Sequence, residues 1–318
     1  MTGDAAQPSA VRIGVHTGLE HTTTGELLDL WRWADDAGFD WISVWDHLTS
    51  SGTTSPDPTR LTPPVAGCLE AVSAHAALAL VTSRVRCGNL VYCAGYRNVA
   101  VLAQAMTTID HLSGGRCEAG LGAGWAKAEY DAFGIPFPSA GERLDLLEET
   151  AQALRALLSP AGPVSFEGQH LTLREARIEP APLQDRLPLW IDGAGERRTL
   201  RIAAAWADGW NVAFVAPEVL RAKLGVLHSH CEDLGRDPAE IMVSVNVGAA
   251  SDEADLIRRF GAAADWVRPA VLSGSVVQMA ETLGRYQDCG ADQVNVAVRA
   301  PWDRDELQQV LEAARSLD

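Results

Sequence analysis

An aspartate and a histidine stand side by side at positions 46 and 47, just beyond the apolar run Trp41 to Trp45. Histidine is the side chain whose unperturbed pKa suits proton transfer near neutrality, and a carboxylate nearby would hold its tautomer. A loop histidine beside an N-capping aspartate would have the same sequence, so the argument for chemistry is placement at the end of a strand. His16 ends an earlier strand and has the same geometric claim without such a neighbour. His75, His111, His228 and His230 fall on helical stretches and read as structural or solvated. No HxH, HExxH or carboxylate-histidine grouping gives a metal signature, since the His228/His230 pair lies on a helical stretch, so the sequence predicts no metal; it has no GxSxG nucleophile elbow.

Two glycine runs form the next candidates. GLGAGW (Gly120 to Trp125) has GxGxG spacing, which is neither the GxGxxG of a dinucleotide fold nor a phosphate loop with its Lys-Ser/Thr pair. Glycines such as Gly122 and Gly124 let the backbone approach a ligand and aim its amides at an anion; the alternative is a tight turn with no ligand. IDGAGERRTLR supplies Gly193, Ala194 and Gly195 just before a helix, followed by Arg197, Arg198 and Arg201 in an acidic chain. Amides at a helix start favour a phosphate, and these arginines add positive charge; otherwise they pair with surface carboxylates.

These residues acquire meaning from the elements that carry them. Strand-like and helical patterns alternate: VRIGVH (Val11 to His16), WISVW (Trp41 to Trp45), Arg86 to Val91, Arg116 to Leu121, LPLWID (Leu187 to Asp192), DGWNV, IMVSVNV (Ile241 to Val247) and QVNVAV (Gln293 to Val298). The helix after the first strand has a Thr23/Glu26 capping box, apolar Leu27, Leu30, Trp31 and Ala34, and Gly38 as a stop. The fourth helix carries Leu144, Leu147, Ala151, Leu154 and Leu158 on one stripe, and FEGQHLTL reads as a hairpin insertion. Eight strand-helix units without an internal linker predict one α/β domain over residues 1–318, a (β/α)8 TIM barrel, with a doubly wound open sheet as the alternative. In a barrel, Asp46-His47 and both glycine runs all leave strand C-termini, where barrel enzymes keep their active sites. The loop over 49–66 is long enough to serve as a lid.

Composition narrows the class. At 47% hydrophobic and 21% charged, the chain reads as globular. A net charge of −16 argues against a nucleic-acid partner, because neutralising phosphates takes clustered Lys and Arg. No apolar run reaches the roughly 20 residues of a membrane span and no signal peptide is legible, so the expectation is a cytoplasmic protein acting on a small molecule. The six cysteines lack a CxxC and read as reduced packing residues.

Taken together, SVWDHL, CGNLVYCAGYR, the run LAQAMTTIDHLSGGRCEAGLGAGWAKAEYDAFGIPFPSAGERLDLLEE and WIDGAGERRTLRIAAAWADGWN resemble the luciferase-like monooxygenase superfamily. The likeness is to its subgroup of probable oxidoreductases that use the deazaflavin coenzyme F420, and it runs from the first strand to about Asn211. The resemblance implies a (β/α)8 barrel, often dimeric, with a flavin-type ring at its C-terminal mouth. It places the catalytic or cofactor-facing pair at Asp46 and His47. It further implies a bulge at Asn89-Leu90-Val91, often with a non-proline cis peptide, behind the central ring. Cofactor-tail and phosphate contacts fall at Gly122, Ala123, Gly124 and Trp125, and at Gly193, Ala194, Gly195 and Arg197. In some deazaflavin sugar-phosphate dehydrogenases a glutamate acts just after the glycine loop; here Trp125 stands there, which removes that proton donor and argues against a sugar phosphate. Trp45, Trp125, Trp190 and Trp210 could line an apolar or flat substrate or pack in the core.

Two chemistries fit the resemblance: hydride transfer with coenzyme F420, His47 moving the proton, or oxygen activation by reduced FMN. The subgroup likeness favours F420. A barrel that binds a flavin without catalysis is a third possibility, and the fold alone separates none of them.

Overall fold

Eight strands pair in one parallel order: β1 (Arg12–Thr17), β2 (Trp41–Val44), β3 (Arg86–Asn89), β4 (Cys117–Gly122), β5 (Leu189–Asp192), β6 (Gly209–Ala213), β7 (Met242–Ala249) and β8 (Gln293–Val298). β8 returns to β1, Arg12 opposite Gln293, and the sheet closes into the expected (β/α)8 barrel. The computed structural model describes residues 11–49, 67–159 and 162–317. Of the lid expected over 49–66, all but Thr49 lies outside the described residues.

Local signals set the outer helices. Helix α1 (Thr24–Ala37) starts at the Thr23/Glu26 capping box, stops at Gly38 in the left-handed region with φ 109°, and buries Leu27, Leu30, Trp31 and Ala34. The reciprocal box satisfies two amides that the helix geometry leaves without partners, worth about 1 kcal/mol. α2 (Ala71–Val81) begins at the Glu70 cap, and α3 (Val99–Ser113) begins at the Asn98 cap. A short helix that the glycine-rich sequence did not announce, α4 (Lys127–Ala132), follows β4; α5 (Ala140–Leu157) then buries Leu147, Ala151 and Leu154 as its stripe requires. The hairpin is present as Val164–Glu167 against Thr172–Ala176, and α6 (Thr199–Trp206) follows β5.

Two tryptophans plug the barrel. Trp41 and Trp190 lie with ring centroids 5.7 Å apart, and both are buried. Neighbouring strands carry glycines that make room: a Cβ on Gly88 would lie 2.1 Å from the Trp41 ring, and one on Gly209 would lie 2.3 Å from Trp190. Trp190 Nε1 donates to Glu118 Oε2 at 2.7 Å, and Glu118 pairs with Arg86. Leu90 and Val91 pack on this plug, so the floor of the C-terminal mouth rests on a rigid aromatic layer.

β3 ends at Asn89 instead of running on to Val91. The Leu90-Val91 peptide is cis, and the chain resumes as Tyr92–Cys93 paired to Leu121 and Gly122 of β4. The non-proline cis peptide implied by the family likeness therefore lies within Asn89-Leu90-Val91, where the motif put it.

Candidate active site

A cavity of about 290 Å³ opens at the C-terminal mouth, and all eight strand ends contribute to it. Asp46, His47, Leu90, Val91, Gly122, Ala123, Gly124, Trp125 and Gly193 line it; Asn89, Ala194, Gly195 and Arg197 do not. Trp45 and Trp125 face it, whereas Trp190 and Trp210 are buried in packing.

Asp46 and His47 are adjacent in sequence but serve different partners, because successive side chains on extended backbone point in opposite directions. Asp46 is buried and takes both terminal nitrogens of Arg97, one at 2.8 Å, and the Cys93 backbone N–H at 3.0 Å. Burial works against the charge on Arg97, but its bonds to Asp46 and Glu70 prevail and keep it protonated. Asp46 thus ties the end of β2 to the segment after the cis peptide.

The carboxylate that orients His47 is Glu129, carried by α4 and 82 residues away in sequence. His47 Nδ1 lies 3.0 Å from Glu129 Oε2. Glu129 also accepts from the N–H groups of Leu48 and Thr49 at 3.2 and 2.9 Å, from Thr49 Oγ1 at 3.2 Å and from Tyr96 Oη at 3.0 Å. Burial pushes the Glu129 carboxyl up, yet the bonds and charge of His47 together with Thr49 and Tyr96 outweigh it and hold the group below the usual range. An ionised Glu129 makes Nδ1 the protonated nitrogen and leaves Nε2, which has no protein partner among the described residues, as the one available for chemistry. Trp125 packs edge-on against the His47 ring at 5.7 Å.

Sequence reasoning missed Glu129, and the only available signal was its place in the family-like run, where Trp125 drew the attention. His16, without an evident neighbour in sequence, bonds Ser43 Oγ at 2.8 Å; burial, reinforced by His47 and Arg299, drives its pKa down to about 3, so it is a neutral wall residue. Asp192 was also missed, although it ends β5 by the same rule that singled out Asp46. Burial pushes it up to about 6, only partly offset by a bond from Asn211.

The glycines of the β4 loop are dictated by protein neighbours. A Cβ on Gly122 would meet Val91 at 2.6 Å, and one on Gly124, at φ 77°, would meet Tyr130 Oη at 2.1 Å. The loop is pressed onto the Leu90-Val91 shelf and forms one continuous surface with it. On the β5 side, Gly193 at φ 132° turns the chain toward α6, whose first turn has no side-chain cap. Arg198 pairs with Asp145 and Glu148, as the surface-pairing alternative holds. Arg197 and Arg201 are exposed and make no ion pair with the described residues. An apolar shelf, uncapped helix amides and two available cations suit a flat ring with an anionic tail.

Over residues 8–315 the chain matches the luciferase-like monooxygenase family. It belongs to that family. Among curated relatives it is 31% identical over 218 residues to a phthiodiolone/phenolphthiodiolone dimycocerosates ketoreductase of Mycobacterium sp. (strain JLS), covering 64% of this chain and 56% of that one. It is 29% identical over 254 residues to an F420-dependent glucose-6-phosphate dehydrogenase of Kineococcus radiotolerans, covering 76% and 69%. The first of the curated relatives are matched over about half their length, 46% to 56%. Among solved structures, an F420-dependent secondary alcohol dehydrogenase bound to an F420-acetone adduct superposes with a TM-score of 0.82 at 20% identity, over 96% of this chain and all of that one. A long-chain alkane monooxygenase superposes with a TM-score of 0.78 at 13% identity, over 98% and 92%. At these identities the structures attest the fold. Two of these curated relatives are thus named as a ketoreductase and a dehydrogenase.

Proposed function

We propose that the chain uses coenzyme F420 to exchange a hydride with a small organic substrate held at the barrel mouth. The observation that carries this is the His47-Glu129 pair: a histidine with one nitrogen fixed by an ionised, buried carboxylate and the other available, on the wall of a cavity with an apolar shelf. When bound, the deazaflavin ring donates or accepts the hydride, and the protein contributes position and proton movement. His47 Nε2 takes the proton from a substrate hydroxyl or returns it to a carbonyl oxygen, and Glu129 stabilises the imidazolium formed in between. Leu90 and Val91 would support the ring, and Gly193, the α6 start, Arg197 and Arg201 would meet the anionic tail. Trp45, Phe214, Phe260 and Trp266 line the remaining wall and keep water from the reacting atoms. With Trp125 in place of a carboxylic acid, the pocket suits an alcohol, ketone or activated double bond of apolar character over a sugar phosphate.

An F420-dependent relative and an F420-dependent structural neighbour support this reading, and the comparable superposition of a monooxygenase keeps FMN-dependent oxygenation as the second. Titration of the purified apo-protein with F420 and, separately, with FMN, followed by fluorescence, separates the two. Micromolar binding of F420 and weak binding of FMN is the expected result; tight FMN binding without a response to F420 overturns the proposal.

A further inference from the structure

On the inside of the barrel the strand registers set Asp192 beside Asn211 and Asn211 beside Ser244. Ser244 Oγ donates to Asn211 Oδ1 at 2.6 Å, and Asn211 Nδ2 donates to Asp192 Oδ1 at 2.7 Å; Asn211 and Ser244 are fully buried. The amide acts as a directional relay. Its oxygen is occupied by Ser244, so only its NH2 remains for Asp192, which fixes Oδ1 as an acceptor. Any proton on this carboxyl therefore sits on Oδ2. Asp192 lines the cavity, and no described group bonds Oδ2.

Among the described residues no charge compensates this carboxyl. The other titratable groups on the cavity wall are His16, Asp46, His47, Cys93, Tyr96 and Arg299, and none of them bonds it. On the neighbouring strands, Glu118 of β4 is taken by Arg86, and Asp208, just before β6, by Arg155 and Arg186. In the loop after β5, Glu196 pairs with Lys223 and Arg198 with Asp145, while Arg197 is exposed. Burial without a cation favours the neutral acid, and the group is pushed up to about 6.

We propose that Asp192 is a ligand-binding acid used in its neutral form: Oδ2–H donates a hydrogen bond to a carbonyl oxygen or ring nitrogen on the dione edge of the bound flavin-type ring. The inference rests on the cofactor reading given above. Asp192 directly precedes Gly193, and it shares the cavity with the shelf and the β4 loop, so it belongs to the half of the site assigned to the cofactor. A neutral acid can donate to an uncharged acceptor, whereas an ionised one would only repel its lone pairs.

The test compares wild type with Asp192→Asn and Asp192→Ala. An asparagine presents its carbonyl to Asn211 and its NH2 to the cavity at every pH, so it reproduces the neutral acid permanently. F420 and FMN binding are measured by fluorescence from about pH 5 to about pH 8, and the ratio of wild-type to Asp192→Asn affinity cancels the ligand's own ionisation. The expected result is that this ratio falls about 10-fold or more over that range, with Asp192→Ala weak throughout. Infrared titration of the apo-proteins is expected to show a protonated carboxyl band that disappears near pH 6 in wild type and is missing from Asp192→Asn. If a ring binds and the ratio is flat, or if the band is absent, the role of Asp192 is overturned and the cofactor reading stands. If neither ring binds wild type, the cofactor reading falls and this assignment with it.

Discussion

On the wall formed by the end of β2 and by α4, two buried carboxylates are each met by several donors: Asp46 by Arg97 and the Cys93 N–H, Glu129 by His47, Leu48, Thr49 and Tyr96. On the opposite wall, formed by β5 to β7, Asp192 meets a single amide. Burial works against the charge of Glu129 and of Asp192 alike; the several donors to Glu129 hold its carboxyl below the usual range, whereas the single amide leaves Asp192 pushed up to about 6. The first wall is thereby charged and preorganised, suited to fixing a histidine for proton transfer. The second is neutral below about pH 6 and responsive to pH, suited to recognition of an uncharged polar edge.

The largest break in this comparison comes from Asp46→Ala, which strands the Arg97 charge in a mostly buried position with only Glu70 left. A loss of about 3 kcal/mol is expected, read as a lower midpoint in denaturant unfolding. Next, His47→Ala is expected to lower turnover about 10²-fold with the fold intact by circular dichroism; unchanged turnover would remove His47 from proton transfer. Glu129→Gln keeps the shape but removes the charge that stabilises the imidazolium, so turnover should fall about 10-fold and the pH-rate profile should shift. A smaller effect is expected from Asp192→Asn, a gain of about 1 kcal/mol near pH 8 and none near pH 4, measured by thermal unfolding at both values.

The two walls also answer acid with opposite sign. Glu129 is depressed in the folded state, so its stabilisation is present above the ordinary glutamate range and is lost as pH falls through the folded value. Asp192 is raised, so its contribution is complete below the ordinary aspartate value and is lost as pH rises toward about 6. Buried His16 and His75, driven down to about 3 and about 4, add to the acid limb, because the unfolded chain takes up protons there that the folded one refuses. Stability is therefore expected to fall from about pH 6.5 downward, and replacing His75 with a neutral residue should flatten that fall in a series of unfolding curves.

Much of the scaffold was legible in the residues themselves. Alternating periods of two and 3.6, the Thr23/Glu26 box, the Gly38 stop and the apolar stripe of α5 are local signals, and local backbone preferences fix such elements whatever surrounds them. The strand-end rule brought Asp46, His47 and both glycine loops to the mouth of the barrel because parallel closure leaves no other place for them. Sequence adjacency could not tell which carboxylate serves which partner. Asp46 turned to Arg97 and Glu129 reached His47 from α4, a pairing across 82 residues that exists only once β2 and β4 are brought into one barrel. The same holds for the glycines at 122 and 124, whose spacing suggested a ligand but whose missing Cβ atoms are required by Val91 and Tyr130. The sequence by itself determined the elements, their order and the end of the barrel where chemistry gathers. Only the tertiary structure decided which buried charges are satisfied, because hydrogen-bond donors and low-dielectric surroundings are assembled by strands far apart in the chain.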